Sequence, residues 1–323
     1  MRDKVLHTLK KNKGRWVSGE DICKQLAISR TMVWKHIGSL KEQGYQIETQ
    51  RRLGYRLLKS PDILYPQEIY AGLNTKLMGS KIIHLERVDS TNEVAKGLAR
   101  QGAEEGTVVI AEEQNCGKGR LGRHWYSAAG KDIVFSVLLK PKISLSETPQ
   151  VSMLAAVAVA RAMEAVCDTK VGIKWPNDLL INNKKFCGIL VEIGAEIDCV
   201  RHVVLGIGIN VNSLADNWPR EIRGHTSSLR AEVGEKLSRV KVLQAVLKEL
   251  DHLYSVWKEE GFAAILKLWR TWCISQHCNA RVETLQGSYT GRIEGVNNTG
   301  ELLLRMSDGS IRAFSSGDVS LRL

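Results

Sequence analysis

The chain runs to 323 residues, 43% hydrophobic and 25% charged, the balance of an ordinary soluble globular protein and too long for one small core. The net charge of +11 is unevenly spread: residues 1–60 hold 14 Lys and Arg against 5 Asp and Glu, which leaves only +2 for the remainder. That asymmetry excludes a uniformly basic protein and points to a basic front module facing a polyanion, most often nucleic acid.

Two helical patterns with a tight break follow in VSGEDICKQLAISRTMVWKHIGSLKEQGY. Ser18 is placed to cap the first, with Ile22, Leu26 and Ile28 facing inward and Asp21 in an imperfect reciprocal role. Ser29 is placed to cap the second, where Met32, Val33, His36, Ile37 and Leu40 recur at helical spacing before Gly44 ends it. Its other face shows Arg30, Thr31, Trp34 and Lys35. This is the helix-turn-helix arrangement, whose second helix enters the major groove. In YQIETQRRLGYRLL two alternating strands flank a tip carrying Arg51 and Arg52, a wing able to grip backbone phosphates. DNA is the expected partner, contacted by Ser29, Arg30, Thr31, Trp34, Lys35, Arg51 and Arg52. A protein-binding helical domain with a solvated charged face is the alternative; the charge excess and the wing arginines arriving together oppose it. Pro61 and Pro66 in SPDILYP then mark a linker.

From about residue 67 helices and strands mix: STNEVAKGLARQG reads as a capped helix, GTVVIAEEQ and DIVFSVLLK as strands. Between these strands lies GKGRLGRHW, with three glycines and three fixed cations in seven positions. A dinucleotide-binding G-x-G-x-x-G should open an apolar helix, but this one leads to Trp125 and a further strand. The glycines leave backbone N–H groups able to converge on an anion, while Lys118, Arg120 and Arg123 add Coulombic attraction and repel one another without it. Such a loop is expected to be mobile until the anion arrives.

In KWPNDLLINNKKFCGILVEI, Pro176 fixes a turn, Asn177 and Asp178 offer an amide and a carboxylate, and two asparagines close a hairpin. Alternation on the return strand puts Lys185, Cys187, Ile189 and Val191 on one face, with Lys184 on the other; Lys185 suits an acidic ligand. In VVLGIGINVN the same period puts Gly206, Gly208 and Asn210 together, so a flat ligand, or another packed element, can lie against that strand. Two amphipathic helices follow, with Trp257 and Trp269 in the core. From Ala280 short strands alternate with turns, a pattern for a small β barrel without a catalytic residue of its own.

Seven scattered cysteines with no Cys-x-x-Cys pair favour reduced thiols, and Cys273, His277 and Cys278 find no second ligand pair for a metal. MRDKVLHTLKKNKG lacks the apolar core of a signal peptide, and VSMLAAVAVARAMEAVC, broken by Arg161 and Glu164, is expected as a buried helix. A cytoplasmic protein without a membrane partner is expected.

Taken together, DSTN, Q-x-x-G-K-G-R-L-G-R-H-W, KWPND, KKFCGILVE and GIGINVN resemble the motifs of the biotin–protein ligases. The basic front module makes the chain similar to the bifunctional ligases that also repress biotin operons, over essentially its full length. The resemblance implies an α+β multidomain fold: a winged helix-turn-helix over residues 1–60, a linker at 61–66, a mixed-sheet biotin/lipoate-ligase-like (class II synthetase-like) domain over 67–274 and an SH3-like barrel over 275–323. It implies that biotin and ATP, entering with Mg2+, give biotinoyl-5′-AMP and pyrophosphate. A lysine of a biotin carboxyl carrier protein, of acetyl-CoA carboxylase or a related carboxylase, then takes the biotinoyl group. The same adenylate would act as corepressor for a ligand-linked homodimer on palindromic operator DNA.

By motif position, Ser90, Thr91, Asn92 and Gln114 match the family's biotin contacts, with Gly188 beside them. Lys118, Gly119 and Arg120 would wrap biotin and adenylate, and Lys185 would meet the biotin carboxyl and bridge toward phosphate, making Lys185 and Arg120 the catalytic pair. Gly117, Arg123, Trp125, Asn177, Asp178 and Asn210 fall to the nucleotide side, and no protein-caged metal is implied. The chain departs from the family pattern at Lys118, usually arginine, at His124 and at Cys116, which bears on affinity. A pure sensor-repressor would need an impaired Lys185 or glycine loop, and a ligase without operator binding would need an altered wing; both segments read as intact. A lipoate ligase shares the fold class, but GKGRLGRHW and KWPND favour biotin.

Overall fold

Val5, Leu6 and Leu9 recur at helical spacing, and α1 (Arg2–Lys11) buries all three against α2 (Gly19–Leu26) and α3 (Arg30–Glu42). The structure, a computed structural model, describes residues 1–196, 199–284 and 286–322, and divides into two units, Met1–Ile63 and Leu64–Leu323. In the first unit the Ser18 hydroxyl accepts the Glu20 N–H and the Ser29 hydroxyl the Met32 N–H, so both caps form as expected. Ala27 in the left-handed region makes the sharp break between α2 and α3. Ile22, Val33, Ile37 and Leu40 close a small core with Ile47 and Leu57. Met32 does not join it: at 43% exposure it lies on the outer face of α3, one position before the buried stripe.

Strands β1 (Gln46–Gln50) and β2 (Gly54–Lys59) pair antiparallel, with Ile47 opposite Leu57. Gly54 closes the tip at φ +101°, and a Cβ there would lie 2.1 Å from the Val17 carbonyl oxygen, so only glycine fits. Arg51 and Arg52 stand exposed at the tip, as expected for a wing.

The second unit begins with α4 (Pro66–Tyr70), then β3 (Lys81–Val88), α5 (Thr91–Arg100), β4 (Thr107–Gln114) and β5 (Ile133–Leu139). The long α6 (Thr148–Cys167) leads to β6 (Gly172–Lys174), β7 (Asp178–Ile181), β8 (Lys184–Glu196) and β9 (Cys199–Ile209). Short α7 (Arg220–Arg223) and α8 (Leu229–Val233) precede α9 (Arg239–Glu260) and α10 (Phe262–Trp272). The seven strands form one mixed sheet in the order β3-β4-β5-β9-β8-β7-β6, with only β3 and β4 parallel. Alternation decides its two faces. Along β4, Val108 and Ile110 enter the large core under α6, α9 and α10, while Val109 meets α5 on the other side. Leu145–Cys167 is long and apolar enough to cross a membrane by composition, yet most of it is buried in this core, as expected of a buried helix.

Strands β10 (Asn279–Thr284), β11 (Gly287–Val296), β12 (Leu302–Met306), β13 (Ile311–Phe314) and β14 (Asp318–Arg322) make an antiparallel sheet in the order β13-β12-β11-β10-β14. Its Val282, Ile293 and Leu304 extend the core of the same unit. The consequence for function lies on the α5 face. One helix cannot cover a seven-stranded sheet, and the rest of that face carries the candidate site.

Candidate active site

The floor is made by absent side chains. Register places Gly188 of β8 directly opposite Gly208 of β9, with Gly206 two residues back on the same face. The Trp125 indole lies on this glycine pair: a Cβ on Gly208 would come within 2.4 Å of Trp125 Cε2, and one on Gly188 within 2.8 Å of Trp125 Cζ3. Gly206 is covered by Asn92, whose Oδ1 would be 2.2 Å from an added Cβ. The flat partner expected on these glycines is thus supplied in part by the protein itself.

Beside the floor, α5 begins. Ser90 forms no side-chain cap; the last residue of β4 does the work, Gln114 Oε1 accepting the Thr91 N–H at 2.8 Å and the Thr91 hydroxyl at 3.0 Å. Ser136 Oγ sits 2.8 Å from Thr91 Oγ1 and 2.5 Å from Asn92 Oδ1, its single proton serving one at a time. Ser90, Thr91 and Asn92 are all buried, so their polar atoms face the cavity or these partners and not bulk water.

The glycine loop covers the cavity from Gly117 to Trp125. Gly119 N–H donates to the Arg123 carbonyl and Trp125 N–H to the Gly117 carbonyl, closing a small hairpin whose tip, Leu121 and Gly122, is left-handed. The Gly119 and Trp125 N–H groups are thus already bonded within the loop. The cations hold protein oxygens too. Lys118 Nζ lies 2.6 Å from Glu93, Arg120 donates to Asn177 Oδ1 and the Gly317 carbonyl, and Arg123 pairs with Asp318. Burial draws the Arg120 guanidinium pKa downward and Arg123 adds to this, while Asp318 and Asp178 counter it. The Glu93 carboxyl is held below its ordinary value by hydrogen bonds from Lys118 and Lys96.

Both stems of the loop are pinned. At the β4 end, Glu112 accepts the Leu64 N–H at 2.8 Å and pairs with the buried Arg239 at 2.7 Å. Burial alone would raise the Glu112 pKa; His84, Arg239 and the Leu64 N–H bring it below normal. At the β5 end, the Asp132 carboxylate accepts from Ala128 N–H, Val211 N–H and the Ser213 hydroxyl, and Arg239 donates to its carbonyl. Burial outweighs these bonds and pushes the Asp132 pKa up.

Lys185 departs from simple alternation. The β7–β8 register pairs Leu179 with Cys187 but Leu180 with Lys185, so Phe186 is an extra, bulged residue. The bulge turns Lys185 to the face of Gly188, where a Cβ would stand 3.2 Å from Lys185 Cε. Cys187 and Ile189 go to the core instead, and burial pushes the Cys187 thiol pKa far up. Lys185 Nζ rests 2.6 Å from Asp178 and 5.5 Å from the Trp125 ring centre. Asn210 fails for a related reason. Strand β9 ends at Ile209, so the period no longer applies; Asn210 is 2% exposed and donates to the Ser227 carbonyl.

One cavity of about 790 Å3, open mouth included, collects Ser90, Thr91, Asn92, Gln114, Lys118, Gly119, Arg120, Lys185 and Gly188, and with them Arg123, Trp125, Asn177 and Asp178. Gly117 and Asn210 lie outside its lining. Asp318 lines it although the sequence offered no signal for an acid at the start of a final strand. Among the described residues no group of three or more His, Cys, Asp or Glu is arranged to hold a metal.

Comparison with known proteins agrees in order and extent. Residues 84–210 match the Biotin/lipoate A/B protein ligase family, residues 2–56 an HTH domain and residues 276–322 the Biotin protein ligase C terminal domain. The Bifunctional ligase/repressor BirA of Bacillus spizizenii is 41% identical over 321 residues, 99% of this chain and 98% of that protein. Its Escherichia coli namesake is 29% identical over 312 residues, 96% of this chain and 94% of that protein. Among solved structures, the biotin protein ligase of Aquifex aeolicus in complex with biotin and ATP is 30% identical with a TM-score of 0.65, covering 75% of this chain and 99% of that one.

Proposed function

The chain belongs to the bifunctional ligase/repressor family of biotin protein ligases, and on that premise we propose how its cavity and its basic unit divide the work. The protein is an ATP-dependent biotin ligase and a DNA-binding repressor. Biotin and ATP, the latter with Mg2+, give biotinoyl-5′-AMP and pyrophosphate, and a lysine of a carboxyl carrier protein takes the biotinoyl group.

The first step brings a carboxylate against the α-phosphate of a polyanion. Thr91 and Gln114 hold the neutral end of biotin, with Ser90, Asn92, Gly119 and Gly188 shaping its slot and Trp125 as the apolar wall. Lys185 exchanges Asp178 for the biotin carboxylate, and Arg120 turns from Asn177 and Gly317 toward the phosphate. Opposite unit charges at ~4 Å attract by roughly 4 kcal/mol at an intermediate dielectric, enough to offset the repulsion of the two anions. The attacking carboxylate oxygen bonds to phosphorus, the bond to the pyrophosphate oxygen breaks, and pyrophosphate leaves. Positioning and charge supply the rate, so no covalent nucleophile is needed. Arg123, Gly117 and Asn177 serve the nucleotide side, with Asn210 supporting from behind the strand. In the second step the carrier amine attacks the acyl carbon, the C–N bond forms, the bond to AMP breaks, and Asp178, released by Lys185, takes the amine proton.

The observation that carries this reading is convergence: Thr91, Gln114, Lys118, Arg120 and Lys185, from three separate stretches, line one cavity. For regulation, residues 1–60 form the operator-reading module, 61–66 the linker, 67–274 the ligase domain and 275–323 the C-terminal sheet; the division of the chain at Ile63 supports the first boundary. The exposed Arg30, Thr31, Trp34 and Lys35 read the groove from α3, Ser29 fixes the helix start, and Arg51 and Arg52 grip phosphates. Biotinoyl-5′-AMP favours a homodimer whose two winged helices match a palindrome. Unpaired cysteines support a reducing, cytoplasmic setting.

Biotin-dependent ATP–pyrophosphate exchange tests the ligase half, and absence of exchange by purified protein refutes it. Titration of a labelled palindromic operator tests the other half: tighter binding with biotin and ATP than with either alone is expected.

A further inference from the structure

A file of charges runs along α5 from the loop to the floor. Lys118 Nζ of the glycine loop lies 2.6 Å from Glu93 Oε1, and Lys96 Nζ, one turn on, lies 3.0 Å from that same oxygen. Lys96 also reaches Glu192 Oε1 on β8 at 2.5 Å, and Glu192 Oε2 accepts the Asn92 amide N–H at 2.8 Å. Asn92 Oδ1 in turn faces the Ser136 hydroxyl at 2.5 Å, and both residues are buried. Asn92 therefore has both ends of its amide engaged by protein, which marks it as a group whose orientation is set by others.

We propose that Glu93 and Glu192, bridged by Lys96, form a relay of positioning residues that ties the place of Lys118 in the glycine loop to the orientation of Asn92 at the cavity floor. The electrostatics are specific. Two lysines and two carboxylates make a neutral set, with both cations on one oxygen of Glu93. When an anionic ligand withdraws Lys118, Glu93 draws harder on Lys96, and the hold of Lys96 on Glu192 changes with it. Loop and floor thus respond as one unit, and the floor discriminates ligands partly through the loop. Gly206 makes this arrangement fit, since any side chain there would displace the Asn92 amide. The relay refines the biotin-ligase reading above and rests on it.

The test is a double-mutant cycle on the full-length chain, read as KM for biotin, KM for ATP and kcat in ATP–pyrophosphate exchange. Glu192→Gln should raise the biotin KM about tenfold, more than it changes the ATP KM or kcat, a split that general loosening does not give. Lys118→Gln should cost less in the Glu192→Gln background than in wild type, with a coupling of about threefold or more, as for residues in one network. Lys96→Met should abolish that coupling, and Lys96→Arg should restore most of it. If Glu192→Gln does not fold, by circular dichroism and thermal melting, the cycle of Lys118→Gln with Lys96→Met answers the same question. Additive effects, or equal changes in all three constants, overturn the relay. Wild-type protein without biotin-dependent exchange overturns the ligase reading instead, so the two failures are distinguishable.

Discussion

At the tip of the wing, Arg51 and Arg52 stand exposed on a two-stranded hairpin, whereas the glycine loop holds Lys118, Arg120 and Arg123 against protein oxygens. Both segments are arginine-rich, and on the reading proposed above both answer phosphate. The wing would meet a long polyanion with a solvated surface, where attraction acts through counterion release and needs no fixed partner. The loop, on the same reading, would meet one small molecule in a half-enclosed cavity. There, uncompensated cations would repel each other, and the fold pairs Lys118 with Glu93 and Arg123 with Asp318 in advance, while the neutral Asn177 and Gly317 oxygens accept from Arg120. Ligand binding at the loop would consequently be an exchange of partners, and at the wing an addition of partners.

The contrast can be broken most strongly at Lys185. Lys185→Ala should lower the exchange rate by about 10²–10³-fold, as for loss of a group stabilising developing charge, with thermal unfolding little changed. A near-normal rate would remove this lysine from the chemistry. Next is the glycine floor: Gly208→Ala puts a methyl where the Trp125 ring lies, at a cost of about 1–3 kcal/mol for overpacking, and should raise the biotin KM about tenfold or more. An unchanged KM would mean that Trp125 is free to leave. At the wing, Arg51→Ala should reduce the slope of log K against log salt for operator binding by about one, while the biotin KM moves little over the same salt range. Equal salt dependence at the two sites would erase the distinction drawn here.

The smallest effect concerns acid. The Glu93 pKa lies below its ordinary value of 4.5, so its tether to Lys118 is fully present above that value and is lost as pH falls through the lowered one. Limited proteolysis or hydrogen exchange at the loop should show protection constant near neutrality and declining only below about pH 4.5, and Glu93→Gln should remove that decline. Loop exposure that already rises between pH 7 and 5 would assign the tether to another group.

The wing and the loop also differ in how far residue order could reveal them. Ser18, Ser29, the tip arginines and Gly44 at the end of α3 were all legible, because caps and tight turns depend on a few neighbouring residues and their φ angles. The glycine loop, KWPND and GIGINVN were legible as pieces, and the cavity collects most of the loop, Asn177 and Asp178 from the second piece, and Gly206, Ile207 and Gly208 from the third. The errors arose where a period was carried past a local irregularity. Phe186, as a bulge, reversed the face of Lys185, and the end of β9 at Ile209 removed Asn210 from the floor.

Composition, periodicity and turn signals were enough to place a basic winged helix before a mixed α/β domain and a terminal β sheet, since burial and turn chemistry act over short stretches, and the motif resemblance alone marked the middle domain as a ligase. Only the tertiary structure decided that Gln114, and not Ser90, caps α5, that Trp125 covers the Gly188–Gly208 pair, and that Asp318 reaches the loop from 195 residues away. Those contacts bring a strand end, a helix start, a loop and, through Asp318, a second sheet to one site, and their geometry depends on register and bulges that no single stretch of residues specifies.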